Sequence, residues 1–178
     1  MPIGIHDMTI VGELPRWKKI YADLVEQLVL ESRCFYGERL VSFCVFGSVG
    51  RDSMHYASDI DCLIVAAALP LGRVKRVREF MQVESKLGEA LTEARRNGVF
   101  IELSPVIKTP EEVRQGSLLF LDMLEDGQVL FDRDAFLKGY FAAFRQRLEQ
   151  LGARRIRKGD AWYWVLKEEY KPGEEFAI

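Results

Sequence analysis

Val45-Phe46-Gly47-Ser48, followed after ten residues by Asp59-Ile60-Asp61, is the stretch whose reading decides the fold of this chain. It sets a tight Gly-Ser turn at the end of one apolar run and two carboxylates at the head of another. Side chains alternate along a strand, so Asp59 and Asp61 share a face while Ile60 points into the opposite layer. Two acids held about 4 Å apart at an effective dielectric near 20 repel by about 4 kcal/mol. A structural site rarely keeps such a pair, but a site for a divalent cation uses it. The backbone N–H groups of the turn are of the kind that cradle phosphate. Carboxylates for a metal and amides for phosphate point to chemistry on a nucleoside triphosphate.

The rest of the chain is compatible with a small enzyme. Its 178 residues suit one domain, or one domain with an appendage, and can bury a substantial core. Hydrophobic residues make up 48% and charged residues 29%, and the net charge of −2 gives no global attraction to nucleic acid or anionic membrane. Cys34, Cys44 and Cys62 are odd in number and lack CxxC spacing. Cys44 and Cys62 lie in apolar runs and read as small buried hydrophobes, with a reducing compartment as the default. The start Met1-Pro2-Ile3-Gly4 has no signal-peptide pattern and no stretch approaches a membrane span, so a cytoplasmic location is expected.

Around the central stretch the periodicity alternates between helix and strand. Pro15 can open a helix carrying Trp17, Ile20, Tyr21, Leu24 and Leu28, ending near Gly37. Leu40 to Phe46 and Ile60 to Ala66 read as strands, the second apolar on both faces beyond its acids. After Pro70 and Gly72, Val74, Val77, Phe80, Met81, Leu87 and Leu91 predict one long amphipathic helix with Gly98 as its C-cap. Val99 to Ile107 is expected to be a third strand. Thr109-Pro110-Glu111-Glu112 spells a capping box. A helix over Leu118 to Glu125, running up to Gly127, an edge strand at Gln128 to Phe131 and a helix from Asp134 to Leu151 follow. A hairpin then runs from Arg154 to Lys158, turns at Gly159-Asp160 and returns from Ala161 to Leu166. The expected fold class is α/β (α+β): a small, mixed, twisted sheet with helices mainly on one side. The expected division is a domain over 1–131 and a C-terminal helix-and-hairpin extension over 132–178, packed on it.

Glu102, in Phe100-Ile101-Glu102-Leu103, is a third acid in an apolar strand, costly to bury unpaired. If its strand lies beside the second, it can join Asp59 and Asp61 around one metal site. With Gly47, Ser48, Asp59, Asp61 and Glu102 in this order, and Arg51 three residues after Ser48, the chain resembles the nucleotidyltransferase superfamily that includes DNA polymerase β, in particular its minimal nucleotidyltransferases. The motifs that carry the resemblance span Leu40 to Ile107. It implies two Mg²⁺ ions held by Asp59, Asp61 and Glu102, with ATP or another NTP as co-substrate, and Gly47, Ser48 and Arg51 toward the phosphates. A nucleoside monophosphate would pass to a hydroxyl, with Glu102 helping to accept its proton. Small members often act beside a HEPN-type helical partner in toxin–antitoxin pairs, which makes a partner protein the expected acceptor. A non-catalytic antitoxin-like binding partner that keeps the fold is the alternative reading.

Some features leave two readings open. Asp52 stands where small members often have glycine, and could weaken phosphate binding, pair with Arg51 or cap the short helix after the turn. Arg51 reads equally as a phosphate contact or a surface arginine. His6 and His55 are too far apart for a local metal motif and read as loop residues. Arg154-Arg155-Ile156-Arg157-Lys158 with Trp162-Tyr163-Trp164 could bind single-stranded nucleic acid or recognise an acceptor. As a hairpin, it would instead pack Ile156 and one aromatic face inward with its arginines in solvent. The run Arg73 to Arg78 reads as a solvated helix face.

Overall fold

The computed structural model of the protein describes residues 15–159 and 161–167. Helix α1 (Arg16–Tyr36) follows Pro15 and ends at Gly37, burying Tyr21, Leu24, Leu28 and Tyr36 at helical spacing. Strand β1 (Leu40–Phe46) leads directly into the single turn of α2 (Gly47–Gly50), and β2 (Ile60–Ala66) returns antiparallel to β1. Helices α3 (Arg73–Lys86) and α4 (Gly88–Arg96) form the crossover to β3 (Leu103–Lys108), which lies parallel to β2. Next come α5 (Pro110–Arg114), α6 (Leu119–Asp126), β4 (Gln128–Asp132), α7 (Phe136–Gln150) and the hairpin β5 (Arg154–Lys158) and β6 (Ala161–Val165). The main sheet is mixed, in the order β3-β2-β1-β4, and the hairpin pairs only with itself among the described residues.

Alternation along β2 divides the core. Ile60, Cys62, Ile64 and Ala66 face a layer built by Tyr21, Leu24, Phe80, Val83 and Leu87. Leu63 and Val65 face Phe120, Met123, Leu137 and Phe144. Helices therefore cover both faces, rather than mainly one as expected. A central strand apolar on both sides cannot leave either side in water.

The long helix predicted after Gly72 is two helices, broken at Leu87, whose side chain is fully buried. The buried stripe is Phe80, Val83 and Leu87, while Val74, Val77 and Met81 are exposed. Gly98 does cap the second helix in the left-handed region at φ +76°, with its N–H donating to the Arg95 carbonyl. Strand β3 begins four residues later than predicted. The Phe100 N–H donates to the Tyr56 carbonyl at 2.8 Å, so this stretch serves a loop instead of a ladder. Pro105 is tolerated because β3 is an edge strand. The Thr109 capping box forms as read, with both of its reciprocal bonds to Glu112. Helix α7 starts at Phe136 instead of Asp134, because Asp134 and Ala135 both take positive φ. The Asp132 carboxylate then accepts the Leu137 and Lys138 N–H groups at 2.9 and 3.0 Å.

Cys44 and Cys62 are buried and free, as read from their apolar runs, and Cys34 is exposed. No helix among the described residues is long and apolar enough to cross a membrane. His55 lies exposed in the loop before β2, and His6 lies outside the described residues.

Close packing of α2 against α6 fixes where the Gly-Ser turn sits. A Cβ on Gly50 would lie 2.1 Å from the Asp126 carbonyl oxygen and 3.2 Å from that of Val45, both backbone atoms. Gly50→Ala is therefore expected to lower the urea midpoint of unfolding, by about 1–3 kcal/mol in stability, from overpacking.

Candidate active site

The site begins where β1 ends. Phe46 pairs with Asp61 across the β1–β2 ladder, so Gly47 arrives beside the Asp61 carboxylate. Gly47 has φ +66°, and a Cβ there would lie 2.4 Å from Asp61 Oδ2. Glycine is required twice over, by backbone conformation and by the carboxylate against its Cα. Ser48 is half-buried, and its carbonyl accepts the Ser53 N–H at 2.9 Å, closing the turn.

Asp59 is exposed one residue before β2, and Asp61 is half-buried within it. In the parallel ladder Ile60 pairs with Leu103 and Asp61 with Ser104, while the Ile60 N–H donates to the Glu102 carbonyl at 2.9 Å. Strand alternation then sets Asp59, Asp61, Glu102 and Ser104 on one face of the sheet. Glu102 itself is exposed just before β3. Among the described residues no three His, Cys, Asp or Glu side chains form a group that could hold a metal ion. The two aspartates are the part of the trio already coupled.

That coupling is visible in Asp61, whose carboxyl is pushed above the usual range. Burial is the largest cause and the Asp59 charge the next, opposed by a hydrogen bond from Ser104 and the charge of Arg51. A divalent cation would offset both causes, and the carboxylate oxygens are the hard donors Mg²⁺ takes, so the pair fits one.

Elements distant in sequence hold these groups in place. Tyr21 of α1, read from sequence only as part of an apolar stripe, uses its hydroxyl twice on Ser58. It donates to the Ser58 carbonyl at 2.5 Å and accepts the Ser58 N–H at 3.0 Å. This fixes the backbone one residue before Asp59. The Ser58 hydroxyl in turn accepts the His55 N–H at 3.0 Å.

Arg51 donates to Asp126 at 2.6 Å, and Asp126 is nearly buried. Asp126 also receives two longer contacts of 3.4 Å from Arg155. Both guanidiniums lie against the Trp162 ring, at 4.9 and 4.3 Å from its centroid. The sequence held one hint of this: a carboxylate in the last turn of a helix opposes the macrodipole and calls for a cation. The hairpin arginines do not all project into solvent as expected, because Arg155 is partly buried on Asp126. Arg76 likewise leaves the solvated face of its helix to pair with Glu112 at 2.6 Å. Asp52 pairs with Lys18 of α1 at 2.8 Å, not with Arg51.

The match to a known family falls on the same stretch of chain. Residues 27–94 match the family described as the nucleotidyltransferase domain, a span that contains the Gly47-Ser48 turn and both aspartates and stops short of Glu102. Over that span the chain is similar to nucleotidyltransferases, the class of enzyme to which the turn and the paired acids also point. A protein of Methanocaldococcus jannaschii, named a candidate protein adenylyltransferase, is 24% identical over 136 residues, covering 75% of this chain and 87% of that one. A solved toxin–antitoxin structure with AMP-PNP is 17% identical, covers 71% of this chain and 92% of its own, and has a TM-score of 0.44. A candidate nucleotidyltransferase of Sulfolobus solfataricus is also 17% identical, at 70% and 94% coverage and a TM-score of 0.36. At such scores the strand order and register define the fold, not these likenesses.

Two outcomes follow from the site's construction. Folded Asp61 holds its proton more tightly than in the unfolded chain, so its contribution to stability is present at acid pH and lost as pH rises through the raised value. Without cation or nucleotide, Asp61→Asn should melt about 1–3 °C above wild type at neutral pH, a gap that closes on acidification. Tyr21→Phe should cost about 1–3 kcal/mol in denaturant unfolding, because it removes the hydroxyl donor to the buried Ser58 carbonyl and leaves the Ser58 N–H only the His55 carbonyl at 3.1 Å.

Proposed function

We propose that this protein transfers AMP from ATP to a hydroxyl group of a protein, with Mg²⁺ bound at Asp59 and Asp61. The observation that carries the reading is the contact of Gly47 with the Asp61 carboxylate, which joins a phosphate-binding turn to a pair of metal-binding acids. The similarity to a candidate protein adenylyltransferase over most of both chains supports the nucleotide and the acceptor class.

In this reading the amides around Gly47 and Ser48 receive the β- and γ-phosphates, and Arg51 adds a positive charge at the end of the same turn. Bound divalent cations, two by the family resemblance, supply charge neutralisation at the α-phosphate and the departing pyrophosphate. The acceptor oxygen forms a bond to the α-phosphorus as the bond to the bridging oxygen of the β-phosphate breaks. Glu102, exposed on the same face, completes the acid trio and takes the acceptor's proton. The acceptor by the same resemblance is a HEPN-type helical partner in a toxin–antitoxin pair.

Purified protein incubated with α-labelled ATP, Mg²⁺ and a lysate of the source cells tests the reading. Label is expected in a protein band with wild type and absent with the Asp59→Asn/Asp61→Asn double variant. No transfer by wild type with any of the four NTPs, alongside a working control enzyme, would instead favour an antitoxin-like binding role without catalysis.

A further inference from the structure

The hairpin reaches the Gly-Ser turn through Trp162, whose ring lies against Arg51, and through the Asp126 carboxylate, whose contacts are unequal. Asp126 holds Arg51 at 2.6 Å, whereas both of its contacts to Arg155 are 3.4 Å. Charge-assisted bonds between guanidinium and carboxylate normally close to about 2.7–2.9 Å, so Arg155 gives up little by turning to another anion. Asp126 thus holds Arg51 closely and Arg155 loosely. Asp122, the next acid upstream on that face of α6, accepts the Trp162 indole N–H at 3.1 Å. The Trp162 ring lies against both arginines and keeps their planes together at one spot.

That spot adjoins the turn. Arg51 is the C-cap of α2, its N–H donating to the Gly47 carbonyl at 3.1 Å, and the Asp126 carbonyl packs on Gly50. Arg155 keeps about a quarter of its side chain exposed, enough to meet a ligand. Two guanidiniums sharing one carboxylate beside a phosphate-binding turn have the charge and planar donors that a polyphosphate takes up.

We propose that Arg155, delivered by the C-terminal hairpin, is a second triphosphate-binding residue that works as a pair with Arg51, with Asp126 and Trp162 holding the pair together. The hairpin is then part of the donor site and not only an appendage. This inference rests on the nucleotidyltransferase reading of the same site.

Calorimetric titration of the full chain with Mg·ATP, and separately with inorganic tripolyphosphate, tests it. Arg155→Gln keeps most of the stem and removes the charge, Arg155→Lys keeps the charge, and Arg157→Gln removes a neighbouring exposed charge. Arg155→Gln should weaken both ligands by about 10-fold or more, the loss expected for one charge-assisted contact. Arg155→Lys should recover part of that loss and Arg157→Gln should bind as wild type, with all four proteins melting alike. Wild-type affinity in Arg155→Gln would overturn the inference and leave the proposed function standing. An equal loss in Arg157→Gln would overturn it too, by pointing to general charge. A wild-type protein that binds neither ligand would overturn both readings.

Discussion

The contact on which this molecule turns is the one between the Cα of Gly47 and the carboxylate of Asp61. It brings the glycine-serine turn against a strand that offers two acids. Everything about the surrounding backbone serves it. The antiparallel pairing of Phe46 with Asp61 sets the level, and the positive φ of Gly47 bends the chain away at that point. The arrangement is costly without a ligand, since Asp61 is part-buried beside the charge of Asp59. A site that resists its own ionisation is one that gains most when a cation arrives.

Because the site is under electrostatic load, its supports come from outside the motif. Tyr21 grips Ser58 from the long first helix, and Asp126 grips Arg51 from the end of α6. These helices lie on opposite faces of the sheet, so each core layer steadies one part of the site. The acids sit on the α6 face, while the loop leading to them is pinned from the α1 face. Glu102 is not tied to the aspartates in the same way. It shares their face through the β2–β3 register and stands exposed at the strand's entry.

The fold was legible in the sequence wherever a local rule acted alone. The strands at Leu40 to Phe46 and Ile60 to Ala66, the Thr109 capping box and the left-handed Gly98 all followed from residues within a few positions of one another. Reading failed where packing chose between local options. Leu87 breaks a helical pattern because burying its side chain and turning α4 toward α1 outweighs continuing the helix. Residues 99–102 have strand composition, yet the Phe100 N–H finds its partner in the Tyr56 carbonyl. Arg155 looked like a solvent-facing hairpin residue because nothing near it in sequence contains its acid.

The sequence by itself determined the chemistry on offer: a glycine-serine turn, acids alternating on a strand and a third acid further on. Those are properties of residue type and of a period-two backbone, and they need no knowledge of neighbours. Tertiary structure alone decided which groups stand together. Tyr21 is 37 residues from Ser58 and Arg51 is 75 from Asp126. Contacts at that separation depend on how helices close over both faces of a sheet, and no local pattern encodes them. The hairpin's place beside the turn is of the same kind, set by the shared Asp126 carboxylate, by Trp162 against both arginines and by Trp164 on the core.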